Sequence, residues 1–225
     1  DGRLGSLELW CDLARGRCGR FQLLWVFATV ALAGQLPLIL EIEKLRNSLP
    51  PRDPSRAELS LRLADLYFFE GVEQAKVADL QPDEPQAPLA RAQAAQLRGK
   101  ALALYAEQER VLPHGDRRVN IQFQMARLNQ DLGRLAEAKN HWRNLSQQDL
   151  SRTIRNEAIL RLGEMSEDEN TPLSLKDAET YYGRVIEECT AGDLCPYVKF
   201  RLAWLLRREG RIEAGAPIDA VIVTV

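Results

Sequence analysis

Histidine and cysteine side chains are the groups in this sequence best suited to bind a metal ion or to act as nucleophiles. The 225 residues contain two histidines, His114 and His141, and four cysteines. Neither histidine has a Cys, Asp or Glu at the ligand spacing of known zinc sites, and neither adjoins a serine or cysteine nucleophile motif. The phosphate-binding pattern GxxxxGKS/T and the nucleophile pattern GxSxG do not occur either. We therefore predict no catalytic residue, no cofactor and no metal site, and we do not expect an enzyme.

An acidic segment, SEDENTPLS, occupies residues 166–174. Acidic clusters can bind Ca²⁺, but an EF-hand loop needs ligands at alternating positions and a central glycine. Because this segment has neither feature, it is predicted to be a solvated turn between two helices.

Cys189 and Cys195 flank the five residues TAGDL. One helix is predicted to end at the first cysteine and another to begin at the second, so the loop can bring the two Cα atoms within disulfide distance. Oxidation is expected if the chain is exported, and so small a loop would contribute ~2 kcal/mol. The alternative is a pair of buried free thiols.

The elements that must position these side chains are helices, and residues 121–145 show the clearest helical pattern. Apolar residues recur there at steps of three and four on both sides of Gly133, which can end a helix because it accepts a positive φ. These residues are Ile121, Met125, Leu128 and Leu132 before the glycine and Leu135, Ala138, Trp142 and Leu145 after it. So short a helical hairpin cannot bury its own apolar face, and it therefore needs neighbours.

The segment GRLAEAKNHW resembles the turn and second helix of a tetratricopeptide repeat (TPR). In that family a small residue of the first helix packs against a small residue of the second, and an aromatic residue follows one turn later. Ala126, Ala138 and Trp142 match these three positions, and Gly133 matches the turn.

Three further copies of this pattern are similar but degenerate. The first combines RLADLY (residues 62–67) with KALALY (100–105) and ends at Pro113, and the third combines Leu162 and Gly163 with Ala178 and Tyr182 across a turn about three residues too long. The fourth begins at Leu202–Ala203 and EGR (209–211). The resemblance covers residues 55–215 and implies an all-α, right-handed superhelix of about four stacked TPR-like hairpins. The alternative is a helical bundle without repeats.

The resemblance also implies a binding surface, because TPR stacks bind peptides or proteins through the inner face of their first helices. The matching positions are Asn120, Phe123, Arg127 and Gln130 in the second copy and Tyr197, Phe200, Trp204, Arg207 and Arg208 in the fourth. In the third copy they form an acidic stripe of Glu157, Leu160, Glu164 and Glu167. Aromatic residues beside arginines are typical of interface hot spots. The alternative for Phe200 and Trp204 is burial between hairpins.

The first part of the chain gives boundaries that the structure can test. Residues 34–54 are predicted to form a short helix, with Leu38 and Leu45 on one face, and a proline-rich linker. Ser55 and Glu58 fit a capping box that opens the first repeat. A proline-containing loop follows near residues 81–88, and a second long helix is predicted from Gln93. Residues 216–225 are predicted to be an irregular or truncated tail.

Residues 21–40 contain no charged side chain and are long enough to cross a bilayer. Arg15, Arg17 and Arg20 precede them, and Ala31 and Ala33 form a small-x-small cleavage pattern before residue 34. Within residues 1–33 this arrangement favours a cleaved signal peptide. A retained inner-membrane anchor and a buried core helix remain as alternatives.

Composition limits the function further. Hydrophobic residues make up 45% of the chain and charged residues 28%, which is typical of a globular protein, and the net charge of −2 argues against a nucleic-acid partner. The segments LRLADLYFFE and KFRLAWLL and the proline-rich insertion look similar to exported TPR proteins of Gram-negative cell envelopes. The resemblance implies a periplasmic or envelope scaffold that binds other proteins or peptides. The alternatives are a membrane-anchored receptor or regulator, and the recognition arm of a larger envelope enzyme.

Overall fold

The computed structural model of the chain describes residues 36–188 and 194–211, and every regular element in these ranges is an α-helix. The eight helices are α1 (Leu36–Ser48), α2 (Pro54–Leu80), α3 (Ala87–Glu109), α4 (Asp116–Asp131), α5 (Leu135–Gln147), α6 (Arg152–Glu169), α7 (Pro172–Glu188) and α8 (Leu194–Arg208). The predicted all-α class is therefore confirmed. The predicted signal or anchor in residues 1–33 and the predicted tail in residues 216–225 lie outside the described residues.

The chain divides into two compact units, one ending at Leu97 and the other beginning at Arg98, so the boundary falls within α3. In the first unit α1 packs against α2. Arg46 Nε of α1 donates to Ser60 Oγ of α2 at 2.6 Å, and the Tyr67 hydroxyl donates to Glu43. Both apolar burial and side-chain hydrogen bonds therefore hold this helix pair together.

The start of α2 differs from the prediction. The helix begins at Pro54, and the Asp53 side chain accepts a hydrogen bond from the Ser55 backbone N–H at 2.8 Å. Proline suits the first helical position because its φ is already helical and its missing N–H would have no helical partner. Asp53 is therefore the N-cap, and the capping box predicted at Ser55 is wrong.

Two other expectations in the first unit can be compared with the structure. The helix face that carries Leu38 and Leu45 is largely exposed, at 40% and 49%, and Ile39 is the buried residue of α1. The second long helix begins at Ala87 rather than at Gln93, because the proline-containing segment connects α2 and α3 over residues 81–86 only.

In the second unit each helix from α4 to α7 packs mainly against the next helix in the chain. Two apolar clusters fill the spaces between these helices. The first contains Val119, Ala126, Ala138, Trp142, Leu145, Ala158, Leu162 and Met165. The second contains Ile159, Leu160, Ala178, Tyr182, Val185, Val198, Leu202, Leu205 and Leu206. Because α6 contributes to both clusters, it is covered on two sides.

The helices α4, α6 and α8 end in the same way. Each is followed by a residue with positive φ, namely Gly133 (72°), Asn170 (51°) and Gly210 (72°). After each of the two glycines, the next backbone N–H bonds a carbonyl five residues earlier, at 2.8 and 3.0 Å. This arrangement satisfies carbonyls that a helix end leaves without partners. The predicted role of Gly133 is confirmed.

Aligning α4, α6 and α8 on these three positions brings their buried residues into register. The matching buried residues are Ile121, Ala158 and Val198; Met125, Leu162 and Leu202; and Leu128, Met165 and Leu205. The intervening helices α5 and α7 match in the same way, with Ala138, Trp142 and Leu145 against Ala178, Tyr182 and Val185, all 0% exposed. The second unit therefore repeats one burial pattern along its helices.

The turn predicted across residues 166–174 is much shorter in the structure. Helix α6 continues to Glu169 and α7 begins at Pro172, so only Asn170 and Thr171 connect them. The Ser174 hydroxyl accepts from the Thr171 backbone N–H at 2.9 Å, and the Thr171 hydroxyl accepts from the Ser174 N–H at 3.1 Å. This reciprocal cap lets α7 start immediately. The predicted solvated turn is therefore confined to Asn170 and Thr171, and the residues on either side of it are helical.

Candidate protein-binding surface

Helix α8 carries three large aromatic side chains on an exposed face. Tyr197, Phe200 and Trp204 are 42%, 50% and 50% exposed, and their spacing places them along one side of the helix. The opposite side of α8 contributes four buried residues to the second apolar cluster. We call the three exposed residues the aromatic face of α8. The alternative prediction, burial of Phe200 and Trp204 between hairpins, does not hold for these side chains.

A buried carboxylate on α6 fixes the position of α8. Glu167 is 7% exposed, and its Oε2 accepts from Arg201 of α8 through Nη2 at 2.7 Å and Nε at 3.2 Å. The Tyr182 hydroxyl of α7 donates to the same oxygen at 2.8 Å. A buried carboxylate is costly unless it is paired and hydrogen-bonded. Glu167 therefore joins three helices at one atom.

A second carboxylate, Glu164, holds Tyr197 at the edge of the aromatic face. The Tyr197 hydroxyl donates to Glu164 Oε1 at 2.7 Å and accepts from Arg201 Nη1 at 2.9 Å. Arg161 Nη1 donates to the other Glu164 oxygen at 2.8 Å. Together with Glu167 and Tyr182, these groups form what we call the carboxylate network.

Burial and hydrogen bonding fix the protonation states in this network. Burial raises the pKa of Tyr182 and of Tyr197, and their hydrogen bonds to Glu167 and Glu164 raise it further. Burial alone would lower the pKa of Arg201, but its hydrogen bond to Glu167 and its other interactions raise that pKa overall. At neutral pH both tyrosines are therefore donors and Arg201 is a cation.

The carboxylate network uses most of the acidic stripe that was predicted to face a partner. Glu164 and Glu167 are buried and paired, and Leu160 is in the apolar core. Glu157 pairs with Arg161 at 2.7 Å. The predicted acidic stripe is thus occupied by internal contacts, because the arginines that neutralise it come from α6 itself and from α8.

The two arginines at the end of α8 differ in their surroundings. Arg208 donates to Asn170 Oδ1 at 3.1 Å and lies 3.9 Å from Glu167 Oε1, so it helps to attach α8 to the turn after α6. Arg207 is exposed and has no side-chain partner among the described residues. Arg207 is therefore the cation beside the aromatic face that is available to another molecule.

The four positions predicted on α4 divide into two pairs. Asn120 and Arg127 are exposed. Phe123 is half-buried, with its ring edge-to-face against Trp142 at a centroid distance of 5.0 Å, and Gln130 Oε1 accepts from Trp142 Nε1 at 3.2 Å. Phe123 and Gln130 are thus already in contact with the indole of α5.

The described contacts do not bring the predicted α4 and α8 positions together, since α5, α6 and α7 lie between them in the packing order. Sequence reasoning missed Arg201 and Tyr182 as functional positions. The repeat alignment carried a signal for Tyr182, since Tyr182 and Glu167 correspond to Trp142 and Gln130, but it carried none for Arg201.

The remaining predicted chemistry can be placed only in part. Cys195 is disulfide-bonded, whereas Cys189 lies outside the described residues, so the specific pair stays a prediction. His141 is half-buried, and burial lowers its pKa. In residues 36–188 and 194–211 no group of three or more His, Cys, Asp or Glu could hold a metal ion.

Within the same ranges, no helix combines the length and the apolar character needed to cross a membrane. The chain matches no protein family, no curated protein and no solved structure. Function must therefore be inferred from the surfaces of the molecule itself.

Proposed function

We propose that this chain is a protein-binding scaffold or adaptor, built as a right-handed superhelix of about four TPR-like hairpins. The observation that carries the proposal is the aromatic face of α8 with Arg207 beside it. Trp, Tyr and Arg are the residue types most enriched in interface hot spots. Exposed apolar patches rimmed by polar residues are a mark of protein-interaction sites.

The repeated burial register of α4, α6 and α8 supports the TPR-like part of the proposal. In each hairpin of the second unit a small residue of the first helix is matched by a fully buried alanine and an aromatic residue of the second. These residues are Ala126 with Ala138 and Trp142, and Gly163 with Ala178 and Tyr182. The first copy is less regular, since α2 has 27 residues.

We further propose that the scaffold works in the periplasm or elsewhere in a bacterial cell envelope. The support is the basic and then apolar pattern that leads up to residue 40 in the sequence. The disulfide bond at Cys195 supports the same compartment, because disulfides persist in oxidising environments.

Site-specific photo-crosslinking in cells tests the binding surface. A photoreactive phenylalanine analogue replaces Phe200 in one strain and Phe69, a 56% exposed residue of α2, in a control strain. We expect discrete protein adducts at position 200 that are lost when Trp204 is changed to alanine. Adducts of equal yield at both positions, or none at position 200, would contradict the proposal.

Cell fractionation tests the compartment separately. N-terminal sequencing of the chain from the envelope fraction should give a mature start near Gly34 if the signal is cleaved. An intact chain in the membrane pellet would favour the anchored alternative, and an intact chain in the cytosol would contradict export.

A further inference from the structure

In the second unit, the aromatic residue of each second helix donates a hydrogen bond to the first helix of its own hairpin. Trp142 Nε1 donates to Gln130 Oε1 at 3.2 Å, and the Tyr182 hydroxyl donates to Glu167 Oε2 at 2.8 Å. Gln130 and Glu167 stand at the same place in their helices, three residues before the positive-φ residue. The two hairpins thus share one rule: an acceptor on the first helix meets an aromatic donor on the second.

Helix α8 breaks this rule at the same place. The residue three positions before Gly210 is Arg207, whose guanidinium donates hydrogen bonds and cannot accept them. In the same register Phe200 corresponds to Phe123, which is covered by the Trp142 ring, yet Phe200 is 50% exposed. At these two positions α8 therefore has an exposed aromatic residue and a cation. At the same positions α4 and α6 have a covered apolar residue and a hydrogen-bond acceptor.

The sequence of residues 212–225 contains no aromatic residue that could correspond to Trp142 or Tyr182. We propose that the aromatic face of α8 binds a helix of a partner protein that bears a large apolar residue for Phe200 and Trp204. About one turn away this helix carries an Asp or Glu for Arg207. The inference rests on the proposed scaffold function and names the chemistry of its partner.

Charge supports an acidic partner over a second copy of this chain. The sequence of α8 has four basic residues and no acidic residue, and the two α6 carboxylates that contact it, Glu164 and Glu167, are already paired. In a symmetric dimer through this face, the basic helix α8 would pack against its own copy, which brings like charges into one interface. If α5 of a second copy packed against α8 by domain swapping, the Trp142 N–H would face Arg207. Both groups are hydrogen-bond donors, so they could not pair.

A displayed library of helical peptides about 18 residues long, five turns, tests the inference on the full chain. We expect selected peptides to combine an aromatic, Leu or Met anchor with an Asp or Glu one turn away. Phe200→Ala and Arg207→Glu should each raise the Kd measured by fluorescence anisotropy at least ~10-fold. Phe69→Ala and Arg62→Glu, changes at exposed positions of α2, should leave the Kd unchanged.

A charge swap gives the strictest readout. Replacing the acidic residue of the peptide by lysine should abolish binding to the wild type and restore binding to the Arg207→Glu variant. Peptides that need Phe200 but ignore Arg207 would overturn the acidic part of the inference and leave the scaffold proposal intact. Peptides that ignore Phe200 would overturn the inference even where crosslinks at position 200 persist. A concentration-dependent dimer lost in Phe200→Ala would identify a second copy as the occupant and overturn it too.

Discussion

Gly163→Ala is the sharpest test of how α6 and α7 pack. Gly163 lies within α6, and a Cβ at this position would be 2.6 Å from Tyr182 Cε1 and 2.9 Å from Cδ1. Real Cβ atoms do not approach other carbons this closely, so either the ring or the helix must move. The ring has little freedom, because Tyr182 is 0% exposed and its hydroxyl is bonded to Glu167 at 2.8 Å.

The size of the effect follows from three contributions. Alanine favours a helix over glycine by about 1 kcal/mol, which opposes the other two contributions. Overpacking a core typically costs about 1–3 kcal/mol, and loss of a hydrogen bond to a charged group costs about 1.5–3 kcal/mol. We therefore expect Gly163→Ala to lower the free energy of unfolding by about 1.5–5 kcal/mol.

Urea unfolding followed by circular dichroism measures this change, provided the slope with denaturant stays the same. The matched control is Gly183→Ala in α7, where no atom lies within 4 Å of the added Cβ. This control should be neutral or stabilising by up to ~1 kcal/mol. Combining Gly163→Ala with Tyr182→Leu should cost less than the sum of the single changes, by ~1 kcal/mol or more. If the two variants had the same free energy of unfolding, the close contact between Gly163 of α6 and Tyr182 of α7 would be contradicted.

Three further changes have defined outcomes. Trp142→Ala should lower the free energy of unfolding by about 3–5 kcal/mol, because the indole is 0% exposed between three helices; a loss below ~1 kcal/mol in urea unfolding would contradict this. Burial raises the pKa of Tyr182, so the folded chain keeps it neutral while the unfolded chain ionises it near its ordinary value of 10.0. Stability should therefore fall above pH 10, and less steeply in Tyr182→Phe, as thermal melts across pH would show. Burial lowers the pKa of His141, so the stability of the fold should fall as the pH drops below 6.5, the ordinary pKa of histidine. The His141→Gln variant should show a weaker pH dependence in the same melts, and an unchanged dependence would contradict burial of the imidazole.

The helical hairpin at residues 121–145 could be predicted because its signals are local. Buried positions of α4 and α5 recur at helical spacing, and Gly133 ends α4 through its positive φ. Each of these features depends on residues a few positions apart, so the sequence carries them directly. Leu135 is the exception, because this apolar residue is 51% exposed at the start of α5.

The carboxylate network could not be predicted in the same way. Glu167 belongs to an acidic segment whose composition indicates solvent, and Glu164 lies just before that segment, yet both are buried. Their burial depends on Arg201, which lies 34 residues beyond Glu167 in the chain and reaches it only after α8 has packed. Pairing over such a separation leaves no mark in local periodicity. The short turn at Asn170 was missed for a related reason, since its cap needs the side chains of two residues in one specific geometry.

The network also explains how α8 can keep an exposed aromatic face without losing its place. Its buried side and the bonds from Arg201 to Glu167 attach the helix to α6 and α7, so Phe200 and Trp204 are not needed for attachment. Changes at these two aromatic residues should therefore alter binding with little effect on folding. Changes at Arg201 would affect both, because removing the guanidinium leaves a buried carboxylate without its main partner. Stability and recognition are thus carried by different sides of one helix, and mutations can separate them.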